Sequence, residues 1–223
     1  MISAILLSGG LGKRMDAIKA KQYLCLEDKS IILHSLEALL SFSDWNEVVI
    51  VCEDAYQPLF HPYLNKAVIR FAKPGKERQD SVFSGLQSLS PDTEFVCIHD
   101  GARPLLKTKD LQSVIEVGRR IGAATLAVPV KATIKEATKD LSVKQTLKRD
   151  SLWEIQTPQV ISYPLLKRGY AHATAHHLLM TDDVSFIEAL NHPVQLVPGS
   201  YSNLKITTFE DLELAKILLR KQL

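Results

Sequence analysis

The stretch Ile2-Ser3-Ala4-Ile5-Leu6-Leu7-Ser8-Gly9-Gly10-Leu11-Gly12-Lys13-Arg14-Met15, with Lys21-Gln22-Tyr23-Leu24 close behind, decides the reading of this chain. An apolar run without polar alternation suits a strand buried on both faces, as in a parallel sheet covered by helices. The glycines that follow let the backbone turn sharply and approach a ligand closely. Exposed N–H groups in such a loop form an anion nest. Arg14 and Lys21 add fixed positive charge suited to a triphosphate. Two better-known glycine motifs do not apply. A P-loop needs Ser or Thr after Gly12-Lys13, and the dinucleotide fingerprint needs a third glycine that the chain lacks.

Outward from this loop, strand-like runs alternate with helix-period segments. Val48–Cys52, Val68–Ala72, Phe95–Ile98 and Ala123–Val130 read as strands. Ile32, Leu33, Leu36, Leu39 and Leu40 mark one helix face, Val82, Phe83, Leu86 and Leu89 a second, and Leu111, Val114, Ile115 and Ile121 a third. Ala55–Leu64 carries Pro58 and Pro62 and reads as helix or loop. The fold class is α/β, with a mostly parallel, doubly wound sheet built from right-handed βαβ units. Ligands of such sheets sit beyond the carboxyl ends of the strands. The 223 residues make one domain, from which residues 131–150 protrude. That segment is polar, with β-prone pieces around Thr138-Lys139-Asp140, and reads as a hairpin arm. An arm with little core of its own predicts a homodimer. Thr208-x-x-Asp211 reads as a capping box opening the last helix.

Composition narrows the function. Apolar residues make up 46% of the chain, enough to bury a core. A net charge of +2 does not suit a nucleic-acid binder held by phosphate attraction. No apolar stretch approaches the length of a membrane span, and the N-terminal run reads as a strand and not a leader. Cys25, Cys52 and Cys97 form no CxxC, so a reducing, cytoplasmic location is expected. His172, His176 and His177 have no evident third ligand and read as a solvated helix face. Ser8 lacks the GxSxG context of a hydrolase.

Two further loops carry chemistry. Pro74-Gly75-Lys76-Glu77-Arg78-Gln79-Asp80-Ser81 follows a strand and opens a helix, with Gly75 allowing close approach and Ser81 offering a hydroxyl. Ile98-His99-Asp100-Gly101-Ala102-Arg103-Pro104 ends a buried strand. Asp100 there suits Mg²⁺ shared with nucleotide phosphates, and Arg103 suits a phosphate through its donor fork. An Asp100–Arg103 ion pair bracing the loop is the structural alternative. Asp182 and Asp183 read as helix-start residues.

The glycine loop resembles the signature of sugar-nucleotide pyrophosphorylases and cytidylyltransferases. The Lys21-Gln22-Tyr23-Leu24 continuation is similar to one branch, the 2-C-methyl-D-erythritol 4-phosphate cytidylyltransferases of non-mevalonate isoprenoid biosynthesis. The resemblance runs from Ser3 to about Leu219. It implies a Rossmann-like nucleotidyltransferase fold acting on CTP and 2-C-methyl-D-erythritol 4-phosphate with Mg²⁺. It implies catalytic roles for Arg14, Lys21 and Lys205, and nucleotide contacts for Gly9, Gly10, Gly12, Gly75 and Ser81. It assigns Asp100 to the metal, and Asp100, Arg103, Thr157 and Thr181 to substrate. Thr133 and Arg149 are expected to reach the neighbouring subunit's substrate phosphate. The chain departs from the family at Ala20, Gly101 and Ala132, where proline, alanine and aspartate are usual. A ribitol-5-phosphate cytidylyltransferase, and a non-catalytic nucleotide-binding module, are the alternative functions.

Overall fold

The computed structural model describes residues 1–10 and 20–221 of the chain. Gly12 and Arg14 lie outside the described residues. The elements run β1 (Ile2–Leu7), β2 (Cys25–Leu26), β3 (Lys29–Ser30), α1 (Ile31–Leu40), β4 (Trp45–Val51) and β5 (Ile69–Ala72). They continue with α2 (Arg78–Gln87), β6 (Phe95–Asp100), α3 (Thr108–Ile121), β7 (Ala123–Pro129), β8 (Lys135–Ala137) and β9 (Val143–Thr146). The last are β10 (Trp153–Ser162), α4 (Tyr163–Ala175), α5 (Ser185–Glu188), β11 (Gln195–Pro198) and α6 (Phe209–Arg220). Asp54–Tyr63, the segment with two prolines, forms 3₁₀ turns.

Seven strands form one sheet in the order β11-β7-β10-β6-β1-β4-β5. β1 pairs in parallel with β4 and β6, β4 with β5, and β7 with β11. β10 runs antiparallel to both β6 and β7. The continuous apolar runs are explained by the two faces. In β1, Ile2, Ala4 and Leu6 join one core cluster with Ile32 and Leu36 of α1 and Leu111 and Val114 of α3. Ile5 and Leu7 join the opposite cluster with Val82 and Leu86 of α2, Leu166 of α4 and Phe186 of α5. A third cluster, with Leu26, Ile31, Leu105, Ile206 and Leu212, docks α6 beside β2.

The chain leaves β1 for β4 on one side, and β6 pairs on its other side. This is the switch point at which open α/β sheets gather ligands. Leu7 pairs with Val51 and Asp100, so the loops after three strands emerge side by side. The arm is present as the β8–β9 hairpin, Lys135 pairing with Thr146. Both halves of the Thr208–Asp211 capping box form. Among the described residues no helix is long and apolar enough to cross a membrane.

Candidate active site

The carboxyl ends of β1, β5 and β6 enclose a cleft of about 530 Å³, within the usual range for small-ligand sites. Gly9, Gly10 and Lys21 line it from the first loop, Gly75, Arg78 and Ser81 from the second, Asp100 from β6, and Lys205 from the segment before α6. The first loop is strapped down by the two residues after Lys21. Gln22 Nε2 donates to the carbonyls of Ser8 at 2.6 Å and Gly10 at 2.9 Å. Ser8 Oγ donates to Tyr23 Oη at 2.6 Å, and the Tyr23 ring stacks on Tyr56 with centroids 3.5 Å apart. A Cβ on Gly9 would fall 2.2 Å from Pro74 Cβ, so only glycine lets the two loops meet this closely. The Gly75 N–H donates to Ser81 Oγ at 3.0 Å, joining the two residues expected to face a base.

Asp100 is the electrostatic centre. Its Oδ2 lies 2.8 Å from Lys205 Nζ and 3.6 Å from Arg103 Nε, and its Oδ1 lies 3.4 Å from Arg78 Nε. Burial opposes ionisation of Asp100, but Arg78, Lys205 and Arg103 together hold its carboxyl well below the ordinary carboxylate range. Burial likewise disfavours the Arg78 cation, and the charges of Asp183 and Asp100 more than offset this and raise its pKa. Arg78 grips Asp183 with both terminal nitrogens, at 3.0 and 2.7 Å.

Beneath the cleft a closed hydrogen-bond relay fixes the end of β6. The Asp100 N–H donates to Thr157 Oγ1 at 3.0 Å. The Thr157 hydroxyl then has its proton free for His99 Nδ1, also at 3.0 Å. That leaves His99 Nε2 to donate to the Arg103 carbonyl at 3.1 Å, which sets the neutral Nε2–H tautomer. Burial pushes the His99 imidazole down to about 4. The Gln156-Thr157-Pro158-Gln159 run sits in β10 and braces three loops. Gln156 and Thr157 receive Asn203 Nδ2 at 3.1 and 2.9 Å. Gln159 Oε1 accepts the N–H groups of Asp183 and Val184 at 2.9 and 3.0 Å.

Comparison with known proteins agrees with this geometry. The family profile described as 2-C-methyl-D-erythritol 4-phosphate cytidylyltransferase matches residues 2–221. The chain belongs to the 2-C-methyl-D-erythritol 4-phosphate cytidylyltransferase family. The chloroplastic member from Oryza sativa subsp. japonica is 48% identical over 99% of this chain and 75% of its own length. The member from Desulforamulus reducens is 40% identical over 99% of this chain and 97% of its own. The crystal structure of 4-diphosphocytidyl-2C-methyl-D-erythritol synthase from Anaerococcus prevotii superposes with a TM-score of 0.86 at 30% identity, covering 98% of each chain. That of 2-C-methyl-D-erythritol 4-phosphate cytidylyltransferase from Thermus thermophilus gives 0.82 at 29%, over 99% of this chain and all of the other. This chain is therefore a nucleotidyltransferase of that family.

Of the residues the cytidylyltransferase resemblance singled out, Gly9, Gly10, Lys21, Gly75, Ser81, Asp100 and Lys205 share the cleft wall. Arg103 and Thr157 lie beneath it. Arg103 is buried and donates from Nη1 to the Asn203 carbonyl at 2.8 Å, so the bracing alternative describes its present contacts. Thr181 is exposed and, among the described residues, is not in the cleft wall. Thr133 and Arg149 are exposed on and beside the arm, and Arg149 Nη1 donates to the Lys131 carbonyl at 3.0 Å. Asp183 differs from its reading as a helix-start residue. It is fully buried and paired with Arg78, while Asp182 Oδ1 takes the N–H of Ser185 at 3.1 Å and opens α5. Sequence reasoning passed over Arg78, whose signal was available: a cation in the first turn of a helix opposes the dipole and so answers to some other partner.

The low pKa of His99 makes folding pH-dependent. Unfolded histidine titrates near 6.5, so below that pH the unfolded chain binds a proton that the folded chain refuses down to about 4. The stability that a neutral His99 contributes should therefore fall by about 2 kcal/mol between pH 7 and pH 5. The carboxylates with lowered pKa act only below this window. Urea unfolding of wild type and His99→Gln at the two pH values checks this. The variant should show a clearly smaller loss, and equal losses would refute the assignment.

Proposed function

We propose that this cleft is where the enzyme joins CTP to 2-C-methyl-D-erythritol 4-phosphate, giving 4-diphosphocytidyl-2-C-methyl-D-erythritol and pyrophosphate for isoprenoid precursor synthesis. The observation that carries the reading is the Lys205–Asp100 pair, 2.8 Å apart, set against the strapped glycine loop after β1 and Lys21 on the same cleft wall. In this reading the cytosine and ribose lie towards Gly75 and Ser81, and the triphosphate lies along Gly9, Gly10 and Lys21. Gly12 and Arg14 follow Gly10 in the sequence and are assigned to the triphosphate by the family resemblance. Lys205 exchanges its contact with Asp100 for a phosphate oxygen. The phosphate of the polyol phosphate, already an anion, attacks the α-phosphorus in line, the P–O bond to the β-phosphate breaks, and pyrophosphate departs. No general base is required. Positioning and charge stabilisation then supply the rate.

Asp100 fits Mg²⁺ as a single carboxylate at the cleft wall, the mode in which this ion is completed by phosphate oxygens and water. Among the described residues there is no cluster of three or more ligating side chains for a self-contained metal site. Bound there, Mg²⁺ would neutralise charge on the phosphates. Arg103 and Thr157 hold Asp100 from below, and in this reading Thr181, outside the cleft wall, meets the sugar phosphate only once substrate is bound. The arm supports a homodimer in which Thr133 and Arg149 reach the partner's substrate phosphate. Free Cys25, Cys52 and Cys97 suit a reducing cytoplasm.

Pyrophosphate release from CTP and Mg²⁺, with each polyol phosphate supplied in turn, tests the reading. The methylerythritol phosphate should be consumed and ribitol 5-phosphate should not. Binding of CTP without pyrophosphate release would favour a non-catalytic module. Lys21→Ala, Arg14→Ala and Lys205→Ala should each lower turnover by about 10²–10³ while remaining folded, and near-wild-type rates would reject their roles. The arm has its own test. Mixing inactive Lys21→Ala and Arg149→Ala chains should restore roughly a quarter of wild-type activity, because half the mixed dimers' sites are intact when the arm acts in trans. Absence of recovery after verified subunit exchange would place Arg149 in cis or outside the site.

A further inference from the structure

Arg78 is a cation without a part in the transfer chemistry above. It occupies the first residue of α2, yet its guanidinium turns away from the helix to Asp183, 3.0 and 2.7 Å away, and to Asp100 Oδ1, 3.4 Å away. Asp183 is completely buried, and its own N–H is fixed by Gln159. The guanidinium is thus aimed by a rigid anchor, while its side chain remains 30% exposed at the cleft wall.

The cations around Asp100 are unevenly placed. Lys205 and Arg103 both face Oδ2, whereas Arg78 faces Oδ1. With Arg78 gone, the carboxylate is free to turn both oxygens towards Lys205 and Arg103. The Lys205–Asp100 pair would then deepen. A tighter ion pair within the site weakens the same ammonium's pull on an incoming phosphate, because repulsion from the carboxylate held beside it offsets the attraction.

We propose that Arg78, clamped by Asp183, is a positioning residue that shares Asp100 with Lys205 and so keeps Lys205 available to the nucleoside triphosphate. The inference rests on the CTP reading of the cleft. Its effect passes through Lys205 and not through direct contact with the nucleotide.

Equilibrium titration of CTP in Mg²⁺ buffer, without polyol phosphate so that no turnover occurs, tests this. The variant is Arg78→Gln with Asp183→Asn, which removes one charge of each sign and leaves no buried carboxylate unpaired. Its CTP dissociation constant should rise about tenfold or more. In a Lys205→Ala background the same pair of substitutions should change it by less than about threefold, because coupled residues are not additive. An unchanged constant in the first case overturns the proposal, and so does an equal rise in both backgrounds, which would mean that Arg78 touches the nucleotide itself. Melting curves verify folding. If the double variant does not fold, Arg78→Lys replaces it. That variant keeps Asp183 paired but cannot span both carboxylates, and the same dependence on Lys205 is required of it. Failure of the wild type to bind CTP would instead remove the functional reading.

Discussion

A carboxylate withdrawn from water at the end of β6 imposes the main constraint on this molecule. Burying the Asp100 charge is costly unless opposite charge and hydrogen bonds surround it. The fold meets that demand from three separate places: Arg78 after β5, Arg103 in the loop of Asp100 itself, and Lys205 ahead of α6. Each cation brings its loop with it. The same pairings that keep Asp100 ionised therefore assemble the rim of the cleft. A site built in this way has its charges in place before the ligand arrives, which is what electrostatic stabilisation of a phosphoryl transition state requires.

β10 gives the rim its rigidity. As the antiparallel strand between β6 and β7, it runs directly under the loops that end at the cleft. Gln156 reaches the segment before Lys205, Thr157 holds the Asp100 backbone, and Gln159 holds the turn containing Asp183. His99 completes the relay as a neutral imidazole. It can accept from Thr157 and donate to Arg103 only in that form, which is why its low pKa and the shape of the rim are one property.

Much of this was legible in the residues, for physical reasons. The run Ile2–Leu7 feeds both core clusters in alternation, so an unbroken apolar stretch correctly announced a two-sided sheet. Gly9, Gly10, Gly75 and Asp100 lie at or just beyond strand ends, where topology alone concentrates them, whereas Lys205 precedes α6 and was reached through the family resemblance. The antiparallel sense of β10 was not legible, since strand direction depends on pairing partners remote in sequence. The Arg78–Asp183 pair joins residues 105 positions apart and leaves no local pattern. Gln159 and Asn203 look like ordinary polar loop residues until the strands are ordered. Arg103 was half legible: its charge belongs to the Asp100 cluster as expected, yet its Nη1 donor is directed to a backbone carbonyl and not into the cleft.

The proposed chemistry turns on the triphosphate displacing Asp100 from Lys205 at the carboxyl end of the sheet. A crystal structure of the protein with CTP and Mg²⁺ tests it most directly. A phosphate oxygen should lie within hydrogen-bond distance of Lys205 Nζ, with the ammonium withdrawn from Asp100 and the glycine loop against the phosphates. A nucleotide bound away from this rim, or Lys205 still paired with Asp100 beside an occupied site, would contradict it.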